Sequence, residues 1–340
     1  ENSKFFNVLN AVSEKFKQPV VPIDIPLGEG TNFKGVIDLI EMKACIPEEN
    51  SPKVKVSDIP ADMMELSKEY RDKLIEIIAE TDDEMTMKFL DGQELSAEEV
   101  KKGLSKGITE GRAILATCGS SEKGIGIGRL LELIVKELPA PDYNPVVEGF
   151  APGKSGDKLK RKISSAEPFS AMVFKTRVDQ YSGRLNYIKV MSGKLTTESE
   201  MLNSNKNSWV KTQHIYVNMA GKLVETTALH AGDIGVFSKV DSLSNGNTIC
   251  DGKNPIQYPD FKMPQPVYAL AVKAAEKKDE DKMNELFTRA GEEDPTFHLK
   301  YNPETHQNVI SGLGELQINI IIESMKKKHK IEVLTELPRI

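Results

Sequence analysis

The apolar periodicity of this chain changes twice, and each change marks a different kind of packing unit. Up to about residue 140, helical stripes alternate with short apolar runs, the pattern of an α/β domain. From residue 168 the pattern becomes a series of short β-runs with Gly turns between several of them: FSAMVFKT, RLNYIKVM, VKTQHIYV, KLVETTAL and IGVFSKV. That is the signature of a barrel or sandwich. From residue 266 the order is strand, helix, hairpin, helix, strand, the β-α-β-β-α-β plan of a ferredoxin-like domain. A chain of 340 residues has room for two or three such units at about 100–200 residues each.

In the first unit, Phe5, Val8, Leu9, Val12 and Phe16 predict a helix over residues 4–17. PVVPIDIP reads as a strand, and FKGVIDLIEMKACI as a hairpin. A long helix is expected from Asp58, with Pro60 near its first turn and Leu66, Tyr70, Leu74, Ile77 and Ile78 as its stripe. A shorter helix follows, where Ser96 and Glu99 form a capping box. Then come a strand at 113–117, a small-residue corner at 118–124 and a helix at 127–137. Ligands of α/β domains sit at such corners, beyond the carboxyl ends of strands. Residues 142–165 read as a connection, rich in Pro, Gly, Ser and Lys.

Composition excludes several classes. No apolar run reaches the roughly 18 residues needed to span a bilayer, and the first residues have no signal-peptide pattern. The three cysteines, Cys45, Cys118 and Cys250, are far apart and make no C-x-x-C, which fits a reducing cytoplasm. The five histidines show no ligand spacing, so no metal site is expected. A net charge of −6 argues against general nucleic-acid binding, DNA included. Two basic patches stand out against it, GDKLKRK (156–162) and KKKHK (326–330).

Three nucleotide-like motifs fail on inspection. GFAPGKS has three residues between Gly149 and Gly153, where a phosphate loop needs four. NKNS (205–208) has Ser208 where guanine reading needs a carboxylate, so a turn is expected. GIGIG (124–128) has two glycines of a dinucleotide fingerprint with the third misplaced. No D-x-x-G occurs anywhere, so the parts for GTP chemistry are missing. Trp209 is expected to be a packing residue, and the 277–282 charge run a solvated helix face.

Read together, the segments resemble translation elongation factor G, a translational GTPase, over nearly the whole chain. IPADMMELSKEY…DGQELSAEEVKKGL…TCGSSEKGIGIGRLLELIVKELPAP is similar to the end of its G domain with the inserted subdomain. PFSAMVFKT…SGRLNYIKVMSGKL…HAGDIGVFSKV…GNTICD is similar to its β-barrel second domain. The most specific stretch, RAGEEDPTFHLKYNPETHQNVISGLGELQINII, resembles its third domain.

The resemblance implies residues 1–143 as the C-terminal part of a P-loop GTPase G domain, with its inserted α/β subdomain at about 22–112. A linker at 144–165, a translation-protein β-barrel at 166–263 and a ferredoxin-like domain at 264–340 follow. It also implies that Gly119, Ser120 and Ser121 form the loop whose backbone N–H groups touch guanine O6, with Ser121 where Ala is usual. The Glu1 start suggests an internal fragment, catalytically silent alone and with no nucleotide bound to it. GTP or GDP with Mg²⁺ would belong to a full-length protein that works with ribosomal RNA and ribosomal proteins in the cytoplasm. A partial G domain of this kind would expose apolar faces meant for a sheet.

The chain departs from the family at Gln317, where His is usual, and at Glu198-Ser199-Glu200, where Gly-Asp is usual. WVKTQHIYVNMAGK also lacks the usual Gly-Arg. These changes fit a divergent paralogue better than a housekeeping translocase. The resemblance implies a factor that drives translocation or, as the alternative, one acting in ribosome recycling or protection.

Overall fold

A computed structural model describes residues 3–48, 54–80, 83–153, 158–179 and 182–339. The chain divides into two compact units, Glu1–Ala140 and Pro141–Ile340. Lys154 and Ser155 of GFAPGKS, and the first two residues of GDKLKRK, lie outside the described residues.

The first unit opens with α1 (Phe5–Lys15) and β1 (Val20–Pro22). Four strands then form an antiparallel sheet in chain order: β2 (Asp24–Leu27), β3 (Gly35–Asp38), β4 (Lys43–Pro47) and β5 (Val54–Ser57). Three helices follow, α2 (Met64–Ala79), α3 (Asp83–Leu90) and α4 (Ala97–Thr109). The unit closes with β6 (Ile114–Ala116) and α5 (Ile127–Glu137).

PVVPIDIP, expected as one strand, is two. β1 pairs in parallel with β6, whereas β2 pairs antiparallel with β3. Ile23 is the branch point: its N–H donates to Ala116 O and its C=O accepts from Leu39 N–H, both at 3.0 Å. Pro22 and Pro26 flank it and have no N–H to give to a continuous ladder. The helices cover this junction with Leu74, Ile78, Val100 and Leu104, packed on Val21, Ile23, Ile25 and Ile37. The helix expected from Asp58 begins at Met64, and α3 is an additional helix the periodicity did not separate.

The Ser96 capping box forms in full. Ser96 Oγ accepts from Glu99 N–H, and Glu99 returns a carboxylate oxygen to Ser96 N–H. α5 buries Leu133 in the core but leaves Leu131, Ile134 and Val135 exposed, the last at 82%.

Residues 144–165, expected as a linker, carry a β-hairpin. β7 (Val146–Phe150) pairs antiparallel with β8 (Lys158–Lys162). Composition hid it because β8 reads KLKRK, whose inward positions are one Leu and the stem of one Arg.

Ten strands build the barrel-like region: β9 (Ser170–Asp179), β10 (Gly183–Ser192), β11 (Lys194–Thr196), β12 (Glu200–Asn203), β13 (Ser208–Lys211), β14 (Ile215–Met219), β15 (Lys222–Thr226), β16 (Ala228–His230), β17 (Ile234–Ser238) and β18 (Thr248–Cys250). Eight of them form one sheet in the order β13-β12-β18-β9-β10-β17-β14-β15, and β11 pairs with β16. The sheet curls round a single core of Val173, Ile188, Val190, Val210, Ile215 and Phe237. NKNS is the expected turn, between β12 and β13, with Asn207 at φ 47°. Trp209 is not the packing residue expected: it is 66% exposed and covers Gly252 from outside.

The ferredoxin-like order is observed. β19 (Tyr268–Ala274), α6 (Glu280–Glu293), β20 (His298–Asn302), β21 (Gln307–Gly312), α7 (Glu315–Ser324) and β22 (Val333–Glu336) give a sheet ordered β20-β21-β19-β22, antiparallel throughout. Met283, Phe287, Phe297, Ile310 and Ile318 fill the space between sheet and helices. The helix expected through KKKHK is α-helical only to Ser324. A π-helical turn, Met325–His329, continues it and ends at Lys330, φ 61°.

The capping box makes a pH prediction. Hydrogen bonds from Lys88, then from Ser96, pull the Glu99 carboxyl down to about 2. Its contribution is complete above about pH 4.5 and is lost as pH falls towards 2. In acid unfolding followed by circular dichroism, Glu99→Gln should remove this part of the slope while leaving helix content at pH 7 unchanged.

Candidate functional site

The corner after β6 is held from below by a buried carboxylate. Asp24 is the first residue of β2 and has no solvent exposure. It accepts from Thr117 Oγ1 at 2.5 Å and from Cys118 N–H at 2.8 Å. Burial raises its carboxyl above the ordinary value, and those two donors oppose the rise. Cys118, beside it, is a poor nucleophile: burial and then the Asp24 charge push its thiol far up.

Asp38 stands opposite Asp24 in the β2–β3 ladder and ties down the helix that follows the corner. Its Oδ2 pairs with Arg129 of α5 at 2.9 Å, and its Oδ1 accepts from the N–H groups of Ile40 and Glu41. One hairpin therefore holds both the loop and the helix that flank the corner. The sequence signal is an Asp inside each of two apolar runs, VVPIDIP and GVIDLI. Such a residue stays in an apolar strand only when partnered.

The corner itself is a tight backbone turn. Ser120 N–H donates to Ile125 O at 2.9 Å, and Ser120 Oγ accepts from Lys123 N–H. Gly126, at φ 76°, precedes α5, and a Cβ there would lie 2.4 Å from Cys118 O. Backbone fit thus explains Gly126, and a positive φ of 69° explains Gly124, whereas nothing in the structure requires a glycine at 128. Beside the corner is a cavity of about 570 Å³, lined among others by Val8 and Val12 of α1, Gly30, Thr31, Cys118 and Lys123.

Of the three residues singled out from sequence, Gly119 and Ser120 line this cavity and Ser121 does not. The Ser120 N–H is already engaged by Ile125. Among the described residues, no protein acceptor takes the N–H of Gly119 or of Ser121. No cluster of His, Cys, Asp or Glu suited to a metal ion occurs among the described residues, nor does any helix long and apolar enough to cross a membrane.

A second constellation joins the two most distinctive stretches of the last domain. Gln317, in G-E-L-Q, donates through Nε2 to Asp294 Oδ2 (2.7 Å) and Thr296 Oγ1 (2.8 Å) of E-E-D-P-T-F. Its Oε1 accepts from Leu313 N–H at 2.6 Å. Burial works against the Asp294 charge. The bonds from Thr296 and Gln317 outweigh it and hold that carboxyl below its ordinary value. One amide thus locks the α6–β20 loop to the start of α7.

Two predictions come from these contacts. Asp24→Ala strands the Thr117 hydroxyl and the Cys118 N–H, so urea denaturation should show the first unit weakened by about 1–3 kcal/mol. Gln317→His should make the last domain's stability depend on pH near neutrality. Asp294 would raise the imidazole above its unfolded value of about 6.5, so the gain is full below that pH and lost as pH rises through the raised value. Thermal melts from pH 5 to 8 would show this slope in the variant and none from position 317 in the parent.

Similarity to known proteins is specific. Residues 168–252 match the family model for elongation factor G domain 2, and residues 263–336 match that for elongation factor G, domain III. The chain is also similar to the crystal structure of ttk003000868 from Thermus thermophilus, with 26% identity and a TM-score of 0.75. That similarity covers 100% of this chain and 48% of the other, so the chain spans about half the length of the structure it matches. The chain therefore carries, in order, an elongation factor G domain 2 at residues 168–252 and an elongation factor G domain III at residues 263–336.

Proposed function

We propose that this chain is part of a ribosome-associated translational GTPase that couples GTP hydrolysis to movement of tRNA and mRNA. The observation that carries the reading is the tandem of domain 2 and domain III, in that order. The first unit supports it with a strand, a small-residue corner and a helix at the place where a G domain would end. On this reading residues 1–143 are the C-terminal part of the G domain, including an inserted subdomain at 22–112.

The corner would then supply only the rim of a guanine site. Gly119 and Ser121 offer free N–H groups suited to guanine O6, while the Ser120 N–H serves the turn. The phosphates and Mg²⁺ need a lysine-bearing loop and switch residues, and the sequence has neither pattern. Chemistry therefore belongs to a longer protein. This chain's share is coupling, with ribosomal RNA and ribosomal proteins as partners in the cytoplasm, and it would be catalytically silent alone.

Gln317 favours a second reading. A neutral amide at this position locks the domain III loops without a titratable charge. A paralogue acting in ribosome recycling or protection would tolerate such a departure.

A translocation assay with the full-length protein separates the readings. The first expects GTP-dependent movement of mRNA by one codon. Ribosome-stimulated GTP hydrolysis without movement supports the second, and absence of both rejects the two together.

A further inference from the structure

The hairpin β7–β8 carries a feature that coupling of domains does not use. Its register sets Lys162, Lys160 and Lys158 opposite Val146, Glu148 and Phe150. Side chains alternate across a strand, so these three lysines share one face and Leu159 and Arg161 take the other. The inner face is fixed. Leu159 and Val147 pack on Cys250, Ile256 and Tyr258, and Arg161 is buried and donates to Asn254 O at 2.7 Å. Gly149 lies against Gln257 and Ile256 so closely that a Cβ would come within 2.7 Å of both. The three ammonium groups are thus presented outward from an anchored hairpin.

Their spacing and company define a partner. Successive lysines are two residues apart, about 6.6 Å along a strand, comparable with the distance between neighbouring phosphates of one nucleic-acid strand. Among the described residues one carboxylate pairs with them: Glu148, 3.1 Å from Lys160 and 3.5 Å from Lys158. All three lysines are exposed, and Lys162 makes no ion pair among the described residues. The aromatic on this face is Phe150, opposite Lys158 and half-buried. Val146, at 41% exposure, is too small an anchor for a lipid surface.

We propose that Lys158, Lys160 and Lys162 form a contact for the sugar–phosphate backbone of structured RNA, with Glu148 tempering its strength. The choice of RNA rests on the ribosomal reading above. The row of charges itself rests on the register alone. Contact would be sequence-independent, because phosphates position and base edges specify. Charge on exposed β faces can also serve only to block aggregation, and the test must separate that role.

The experiment is a fluorescence-anisotropy titration of the 340-residue chain with a labelled RNA hairpin of about two helical turns, from 50 to 200 mM KCl. The triple variant Lys158→Gln, Lys160→Gln, Lys162→Gln should bind about tenfold more weakly at the low-salt end, with a log–log salt slope shallower by about two. Glu148→Gln should act in the opposite direction and tighten binding several-fold. Equal affinity and slope in all three proteins overturns the proposal and leaves the lysines as a solubility device. Loss with the triple variant but no gain with Glu148→Gln overturns the tempering role. Sedimentation of the full-length protein with ribosomes tests the underlying reading separately. Failure there with a lysine-dependent RNA titration would reject the ribosome and keep the contact.

Discussion

The first unit depends on how the chain leaves one sheet and enters another within five residues. Ile23 gives its N–H to β6 and its C=O to the turn after β3, so two sheets share one residue. Asp24, next along, spends both oxygens on Thr117 and Cys118. A buried carboxylate is costly unless fully bonded, so this arrangement has little freedom to slip. The position of the corner, and of the amides that stay free on it, follows from that constraint. Asp38 and Arg129 repeat the device at the helix, again with a carboxylate that donates nothing and must be met by N–H groups.

The last domain uses a neutral version of the same device. Gln317 acts at once as donor and acceptor, joining turns that lie far apart in sequence. An amide can do this without the desolvation penalty of a charge. Two parts of the stretch that resembles the third domain of elongation factor G are therefore held together by Gln317, the residue at which the chain departs from that family.

Much of this was legible because period and packing agree. The β19–β22 order, α5 and the Ser96 capping box follow from local rules that tertiary contacts do not override. The β7–β8 hairpin was hidden because KLKRK buries an arginine stem in place of an apolar residue, so alternation reads as a basic run. PVVPIDIP concealed a break because both halves are equally apolar and the switch lies in hydrogen bonding. Trp209 was misplaced because residue type says nothing about which face of an edge strand it occupies. At the corner, Gly119, Ser120 and Ser121 were singled out by the family resemblance, whereas Asp24 lies 93 residues from Thr117 and no local pattern connects them.

On this account Asp24 holds the corner so that the N–H groups of Gly119 and Ser121 stay free for a guanine carbonyl in the longer protein. Amide hydrogen exchange of the full-length protein, with and without GDP, tests it most directly. The account predicts slowed exchange at residues 119 and 121 on adding GDP, with residue 120 already slow in its absence. Unchanged exchange at 119 and 121 under saturating GDP would contradict it.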